Sequence, residues 1–174
     1  VVGYVGLGSN VGAREEHLRA GLLAMHRDGL SVTAVSSLWE TEPVGGAGPG
    51  WFLNMIARIA TERSPEEVLD VLLAVERERG RIRKSPNAPR ELDLDLLLLG
   101  EERRASSELT LPHPRLFTRG FVLTPLAEVA PTLLNPATGR TVRQELDALR
   151  DPHVVRHAGT LALPETIPVY SRAL

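Results

Sequence analysis

The sequence predicts an α+β fold: an antiparallel sheet in the split βαββαβ, ferredoxin-like order, with helices packed on it. Three observations lead there. Four segments rich in apolar and β-branched residues read as strands, and two stretches between them carry helical periodicity. The first helical stretch separates strands one and two, and the second separates strands three and four. Glycine, proline or a capping serine stands at the junctions.

The first segment, Val2-Gly3-Tyr4-Val5-Gly6-Leu7-Gly8-Ser9, reads as a buried strand thinned by glycine. Ser9 or Asn10 can cap a helix over about Arg14 to Arg27, whose Leu18, Leu22, Met25 and His26 share one face. Gly29 stops it, and Leu30 to Trp39 is β-branched enough for a second strand. Residues 42–50 are too rich in glycine and proline for regular structure, and a third strand runs from Trp51 to Ala60. Ser64-Pro65-Glu66-Glu67 is a strong helix start: an N-cap serine, proline at the first helical position and glutamate at the capping-box position. Val68, Leu69, Leu72, Leu73 and Val75 form its apolar stripe before Gly80, and Leu92 to Leu99 is the fourth strand. Beyond the core, Phe121 to Val129 and Val142 to Leu149 read as short helices joined by a turn at Asn135-Pro136…Gly139. The last 20 residues are interrupted by proline and yield no element.

With 174 residues, 43% hydrophobic and 24% charged, the chain suits one compact domain over 1–174. No apolar run is long enough to cross a bilayer, so no membrane partner is expected. There is no cysteine, which excludes disulfides, zinc–thiolate sites and a thiol nucleophile and fits a cytoplasmic setting. A net charge of −2 and an aromatic content of 4% argue against a nucleic-acid surface. Of the 20 cations, Lys84 is the single lysine.

Charge placement is more informative than charge total. In Leu92-Asp93-Leu94-Asp95-Leu96, strand alternation puts Asp93 and Asp95 on one face, their stems about 7 Å apart. Such carboxylates repel unless a cation lies between them, and hard oxygen donors suit magnesium. A solvated edge strand or arginine salt bridges are the alternatives. Upstream, Glu76 to Arg90 holds Arg77, Arg79, Arg81, Arg83, Lys84 and Arg90 against Glu76 and Glu78, a local net of +4. Such a loop leading into paired aspartates suits a metal-bound polyphosphate; a solvated run at a helix C-terminus is the alternative. Glu76 lies one turn beyond Leu72 at the edge of the apolar stripe, where a salt bridge to an arginine is the expected pairing.

Gly6-Leu7-Gly8-Ser9-Asn10-Val11-Gly12 has one residue too many for the dinucleotide fingerprint, and GxxxxGK[ST] is absent. The small residues near Gly8 permit close packing or approach of a flat ligand. Thr41-Glu42-Pro43-Val44-Gly45 followed by Trp51-Phe52-Leu53-Asn54 joins a loop to aromatics and an amide able to donate and accept. Leu111-Pro112-His113-Pro114-Arg115, with Arg119-Gly120-Phe121, groups a histidine, two arginines and an aromatic.

In this order the motifs resemble the 6-hydroxymethyl-7,8-dihydropterin pyrophosphokinases of folate biosynthesis. The resemblance rests on Gly8-Ser9-Asn10, Thr41-Glu42-Pro43-Val44-Gly45, Phe52-Leu53-Asn54 and Gly80-Arg81-Ile82-Arg83. It continues through Pro89-Arg90-Glu91-Leu92-Asp93-Leu94-Asp95, Pro112-His113-Pro114 and Arg119-Gly120-Phe121. It covers about residues 3–131, leaving 132–174 as an extension. Many relatives carry tryptophan and glycine where this chain has Asn87 and Ala88.

The resemblance implies transfer of the terminal diphosphate of ATP to the pterin hydroxymethyl oxygen, with AMP leaving. It implies two magnesium ions on Asp93 and Asp95, with Arg81, Arg90, Asp95 and His113 as the catalytic set. Arg81 and Arg90 would clamp phosphates, assisted by Arg83, Lys84 and His113. Leu69, Glu76, Leu96, Thr110 and Arg119 align with nucleotide-side positions. The pterin would stack between Phe52 and Phe121, be read by Asn54 and Thr41, and lie against Gly8, Pro43 and Val44. Asp95 is the candidate acceptor of the hydroxyl proton, and the enzyme is expected to act as a monomer. The alternative is a non-catalytic ferredoxin-like module that senses a nucleotide or metabolite.

Overall fold

The computed structural model describes residues 1–43, 50–80 and 89–167. In chain order the elements are β1 (Val2–Ser9), α1 (Arg14–Arg27), β2 (Ser31–Val35), β3 (Leu38–Thr41), β4 (Phe52–Ala60), α2 (Pro65–Glu78) and β5 (Asp93–Leu99). Then come β6 (Arg104–Ala105), β7 (Thr110–Leu111), α3 (Gly120–Val129), α4 (Val142–Ala148) and β8 (Val155–Gly159).

The strong local signals produce the elements they predict. Ser64 caps α2 by accepting the Glu67 N–H, and the Glu67 side chain accepts the Ser64 N–H in return. The α1 start is a correction: neither Ser9 nor Asn10 caps it, because Ser9 ends β1 and the Asn10 side-chain oxygen accepts the Arg90 N–H at 2.7 Å. Ala13 takes the cap position without a side-chain bond. The single strand expected over 30–39 is two strands. At the break, the Ser36 hydroxyl accepts the Ile56 N–H and donates to the Ser37 carbonyl, replacing a regular ladder position.

The main sheet has the order β5-β1-β4-β3-β8, with β2 also on β4, and the pairs are antiparallel. On one face lie α1 and α2, burying Leu18, Leu22, Met25, Val68, Leu72 and Val75 against Val5, Leu7, Met55, Leu94 and Leu96. Each fully buried leucine there contributes about 1.5–3 kcal/mol relative to exposure. On the other face α3 packs Val122, Leu123 and Leu126 over Tyr4, Ile56 and Leu97. The helices are thus not confined to one side of the sheet. Because the second cover lies over the Tyr4–Ile56 rows, it leaves the Gly8–Asn54–Asp93 row at the end of the sheet for other use.

The extension contributes β8, which pairs with β3 at the edge far from β5. Sequence reading misses it because its pattern is weak and its partner lies more than a hundred residues earlier.

Candidate active site

Strand register assembles the site. Asp93 faces Gly8 across β5 and β1, Gly8 faces Asn54 across β1 and β4, and Asn54 faces Trp39 on β3. Two residues along in one direction Asp95 faces Gly6, and two residues along in the other Thr41 faces Phe52. Residues directly opposite in antiparallel strands share a face, so both aspartates, Gly8, Phe52, Asn54 and Thr41 point to the same side. Adjacent strands are about 4.8 Å apart, which places Asp93 and Asn54 roughly 10 Å apart across Gly8.

Gly8 is required where it stands. A Cβ there would meet Asn54 Oδ1 at 2.8 Å and Phe52 Cδ1 at 3.6 Å. The Asn54 amide donates to Thr41 Oγ1 at 2.8 Å, and both side chains are buried. That bond fixes which way the amide faces.

The Arg90 backbone is held at both groups, donating to Asn10 Oδ1 at 2.7 Å and accepting the Asn10 N–H at 3.1 Å. The Arg90 guanidinium then donates to Asp93 Oδ2 at 2.8 Å. The arginine salt bridge left open from sequence therefore exists at Asp93. Asp95 is exposed on the same face.

A cavity of about 280 Å³ runs along the outer edge of β5, lined by Leu69, Leu73 and Glu76 of α2, by Leu94, Asp95 and Leu96, and by Ser107 to Thr110, His113 and Pro114. Leu69, Glu76, Leu96, Thr110 and His113, assigned to one ligand by resemblance, thus line one space. Leu73, Ser107, Glu108 and Leu109 also line it and carry no motif, while Pro114 stands in a motif that gives it no role. Glu76 is buried, and its carboxylate accepts the Leu94 N–H at 2.8 Å. This ties α2 to the edge strand midway between the two aspartates. A partner on another element's backbone leaves no trace in residue identities.

His113 is anchored by its N–H to the Leu97 carbonyl at 2.8 Å. Burial, then the Arg119 and Arg115 charges, push its pKa below the usual histidine value, against the opposing pull of Asp93. Burial and Arg115 likewise lower the Arg119 pKa, opposed by Asp95, Asp151 and Asp93. Its guanidinium lies 5.4 Å from the Phe121 ring centroid. Phe121 is the second residue of α3, and Val155 beside the start of that helix pairs with Thr41. The Thr41 end of the sheet and the start of α3 therefore adjoin. Pro43 follows β3 and is partly buried. Arg81, Arg83, Lys84 and Val44 lie outside the described residues.

The family model for 7,8-dihydro-6-hydroxymethylpterin-pyrophosphokinase matches residues 4–131. The chain belongs to this family. It is 41% identical over 145 residues to the 2-amino-4-hydroxy-6-hydroxymethyldihydropteridine pyrophosphokinase of Bacillus subtilis, covering 83% of this chain and 87% of that one. The Pseudomonas aeruginosa protein of the same name is 42% identical over 134 residues, covering 76% and 83%. In fold it resembles a crystal structure of an HPPK-DHPS protein in complex with substrates, with a TM-score of 0.66 at 12% identity. That match covers 84% of this chain, which spans only 43% of the solved one. The family-model match ends at residue 131, before α4 and β8.

Proposed function

We propose that this chain transfers diphosphate from ATP to the hydroxymethyl oxygen of 6-hydroxymethyl-7,8-dihydropterin, releasing AMP and the pterin diphosphate of folate biosynthesis. One observation carries the assignment of residues. The edge-strand cavity reaches Asp95 and the Gly8–Asn54–Thr41 surface reaches Asp93, two positions away on the same face of β5. A nucleotide in the first and a flat heterocycle on the second would bring a triphosphate and a hydroxymethyl group together at the carboxylates.

Nucleotide binding falls to Leu69, Glu76, Leu96 and Thr110 in the cavity, with His113 and Arg119 toward the phosphates. Asn54, held by Thr41, reads the hydrogen-bonding edge of the pterin, which lies over Gly8 and beside Pro43 between Phe52 and Phe121. Val44 completes this surface, and Arg81, Arg83 and Lys84 join Arg90 as phosphate cations.

The donor set fits magnesium. Among the described residues no three His, Asp or Glu side chains gather as a cage. Two carboxylates on one face suit an ion that takes one or two protein carboxylates and completes its shell with phosphate and water. Asp93 and Asp95 would hold two such ions, which when bound neutralise the triphosphate charge.

The hydroxymethyl oxygen attacks the β-phosphorus, the bond from that phosphorus to the α–β bridging oxygen breaks, and AMP departs with the oxygen. Asp95 accepts the hydroxyl proton at a carboxylate oxygen. Arg90 leaves or shares Asp93 to meet the phosphates, which a bidentate guanidinium suits. His113, held mainly neutral by its surroundings, donates a hydrogen bond to phosphate rather than a full charge.

We further propose that the enzyme acts as a cytoplasmic monomer, where ATP is supplied. No helix among the described residues is long and apolar enough to cross a membrane. The exposed large hydrophobics described, Val1, Leu134 and Val154, are scattered rather than gathered in a patch. Sedimentation at twice the chain mass would end the monomer reading.

The test of function is incubation with ATP, magnesium and the dihydropterin, separating AMP from ADP. Pterin-dependent AMP that vanishes without magnesium is expected. ADP, or binding with no turnover, overturns the assignment, the second result favouring a sensing module.

A further inference from the structure

The first turn of α3 carries Arg119 and Phe121 yet is poorly held by its own sequence. Its N-cap residue is Arg119, whose side chain makes no capping bond, and no acidic residue stands in the first turn. Pro125 lacks the N–H that would bond the Phe121 carbonyl. The cap comes instead from outside: Asp151 Oδ2 accepts the Gly120 N–H at 2.8 Å. Asp151 is itself fixed, its Oδ1 accepting the His153 N–H at 3.0 Å and lying 2.6 Å from His153 Nδ1. Gly120 allows the approach, since a Cβ there would already sit 3.3 Å from Asp151 Oδ2.

The same segment holds the other half of the pterin surface. The Val154 N–H donates to the Glu42 carboxylate at 2.8 Å, and Val155 pairs with Thr41, which accepts from Asn54. Residues 151–155 therefore bridge the α3 start to the Thr41–Asn54 pair. Asp151 also bears on the Arg119 charge. Burial alone would raise the Asp151 pKa, but the Gly120 and His153 hydrogen bonds outweigh it and hold the carboxyl below its ordinary range.

We infer that Asp151, in the extension beyond the family match, is a positioning residue for the pterin subsite. It fixes the first turn of α3 so that Phe121 stands opposite Asn54. It touches neither substrate and acts through the helix cap. The inference rests on Phe121 facing the pterin as proposed above.

Pterin and magnesium–ATP titrations of the full chain test it, with wild type, Asp151→Ala, Asp151→Asn and Phe121→Ala compared beside thermal unfolding. In Asp151→Ala the pterin Kd should rise about tenfold while the ATP Kd stays within about twofold, and amide exchange across 119–122 should quicken. Asp151→Asn keeps the shape with a single oxygen acceptor. It should fall between, a pterin-selective loss of about threefold or more, and it decides the matter if the alanine variant does not fold. If Phe121→Ala weakens pterin binding and the Asp151 variants do not, the positioning role is overturned and the pterin reading stands. If Phe121→Ala also binds normally, the reading of Phe121 falls and the inference with it. Equal losses for both substrates would mark Asp151 as merely structural and overturn the inference.

Discussion

Replacing Gly8 with alanine tests the heart of the proposed pterin surface with a single methyl group. The new Cβ would lie 2.8 Å from Asn54 Oδ1, where ordinary contact begins at 3.4 Å, so something must yield by about 0.6 Å. The Gly8 backbone is paired on both sides, to β4 and to β5, and cannot retreat without disturbing two ladders. The Asn54 amide must turn instead, and turning strains its 2.8 Å bond to Thr41 in a buried setting. Leaving such partners unsatisfied costs about 1–3 kcal/mol, which sets the expected loss of stability. If the same amide reads the pterin, similar energy is lost from binding, and at about 1.4 kcal/mol per factor of ten the pterin Kd rises from about fivefold to somewhat over a hundredfold. On the proposed assignment ATP would sit in the cavity beyond β5, so its Kd should stay within about twofold. Fluorescence titration with the dihydropterin, paired with a magnesium–ATP titration, measures both. A pterin Kd within twofold of wild type would refute the assignment of Asn54 and Gly8, and an equal weakening for ATP would show a general distortion instead.

Three further substitutions probe separate parts of the molecule. Asp95→Ala should abolish AMP formation while the fold survives, because the side chain is exposed on the sheet face; unchanged turnover would end its catalytic role. Glu76→Leu removes the acceptor of the Leu94 N–H and should cost about 1–3 kcal/mol in urea unfolding, with Glu76→Gln recovering part of it through its amide oxygen; a leucine variant as stable as wild type contradicts this. Glu40 takes hydrogen bonds from Arg14 and Arg156, which, against the opposing effect of burial, lower its carboxyl below the ordinary 4.5. The stabilisation is therefore present above about pH 4.5 and lost as the pH falls through the folded-state value. Glu40→Gln should melt below wild type at pH 7, and the gap should narrow as the pH falls from 4.5 through the folded-state value; a gap that does not narrow in acid would sink the argument.

The parts of the fold and site legible in the sequence share a property: their cause lies within a few residues. The capping box at Ser64 and Glu67 fixes α2, and two-residue alternation puts Asp93 and Asp95 on one face. The Asn10 side chain shows where this fails. Its type and position suit a helix cap, but Arg90, 80 residues on, offers its backbone N–H, and the long-range bond takes the side chain. The split of the second strand at Ser36 has the same origin, since the hydroxyl finds its partner on Ile56.

By itself the sequence determined the α+β order, the paired carboxylates, the cationic approach to them and, through its motifs, the family. Tertiary structure alone decided that β1 lies between the carboxylate strand and the amide strand, so that Gly8 is the floor between them. It alone brought Glu76 to the Leu94 backbone and Asp151 to the start of α3. The reason is physical: periodicity and capping are short-range and written in residue types, whereas backbone hydrogen bonds and strand neighbours depend on closure of the chain over many residues. Such bonds can use groups that almost every residue carries, so the residue types alone do not mark where they form.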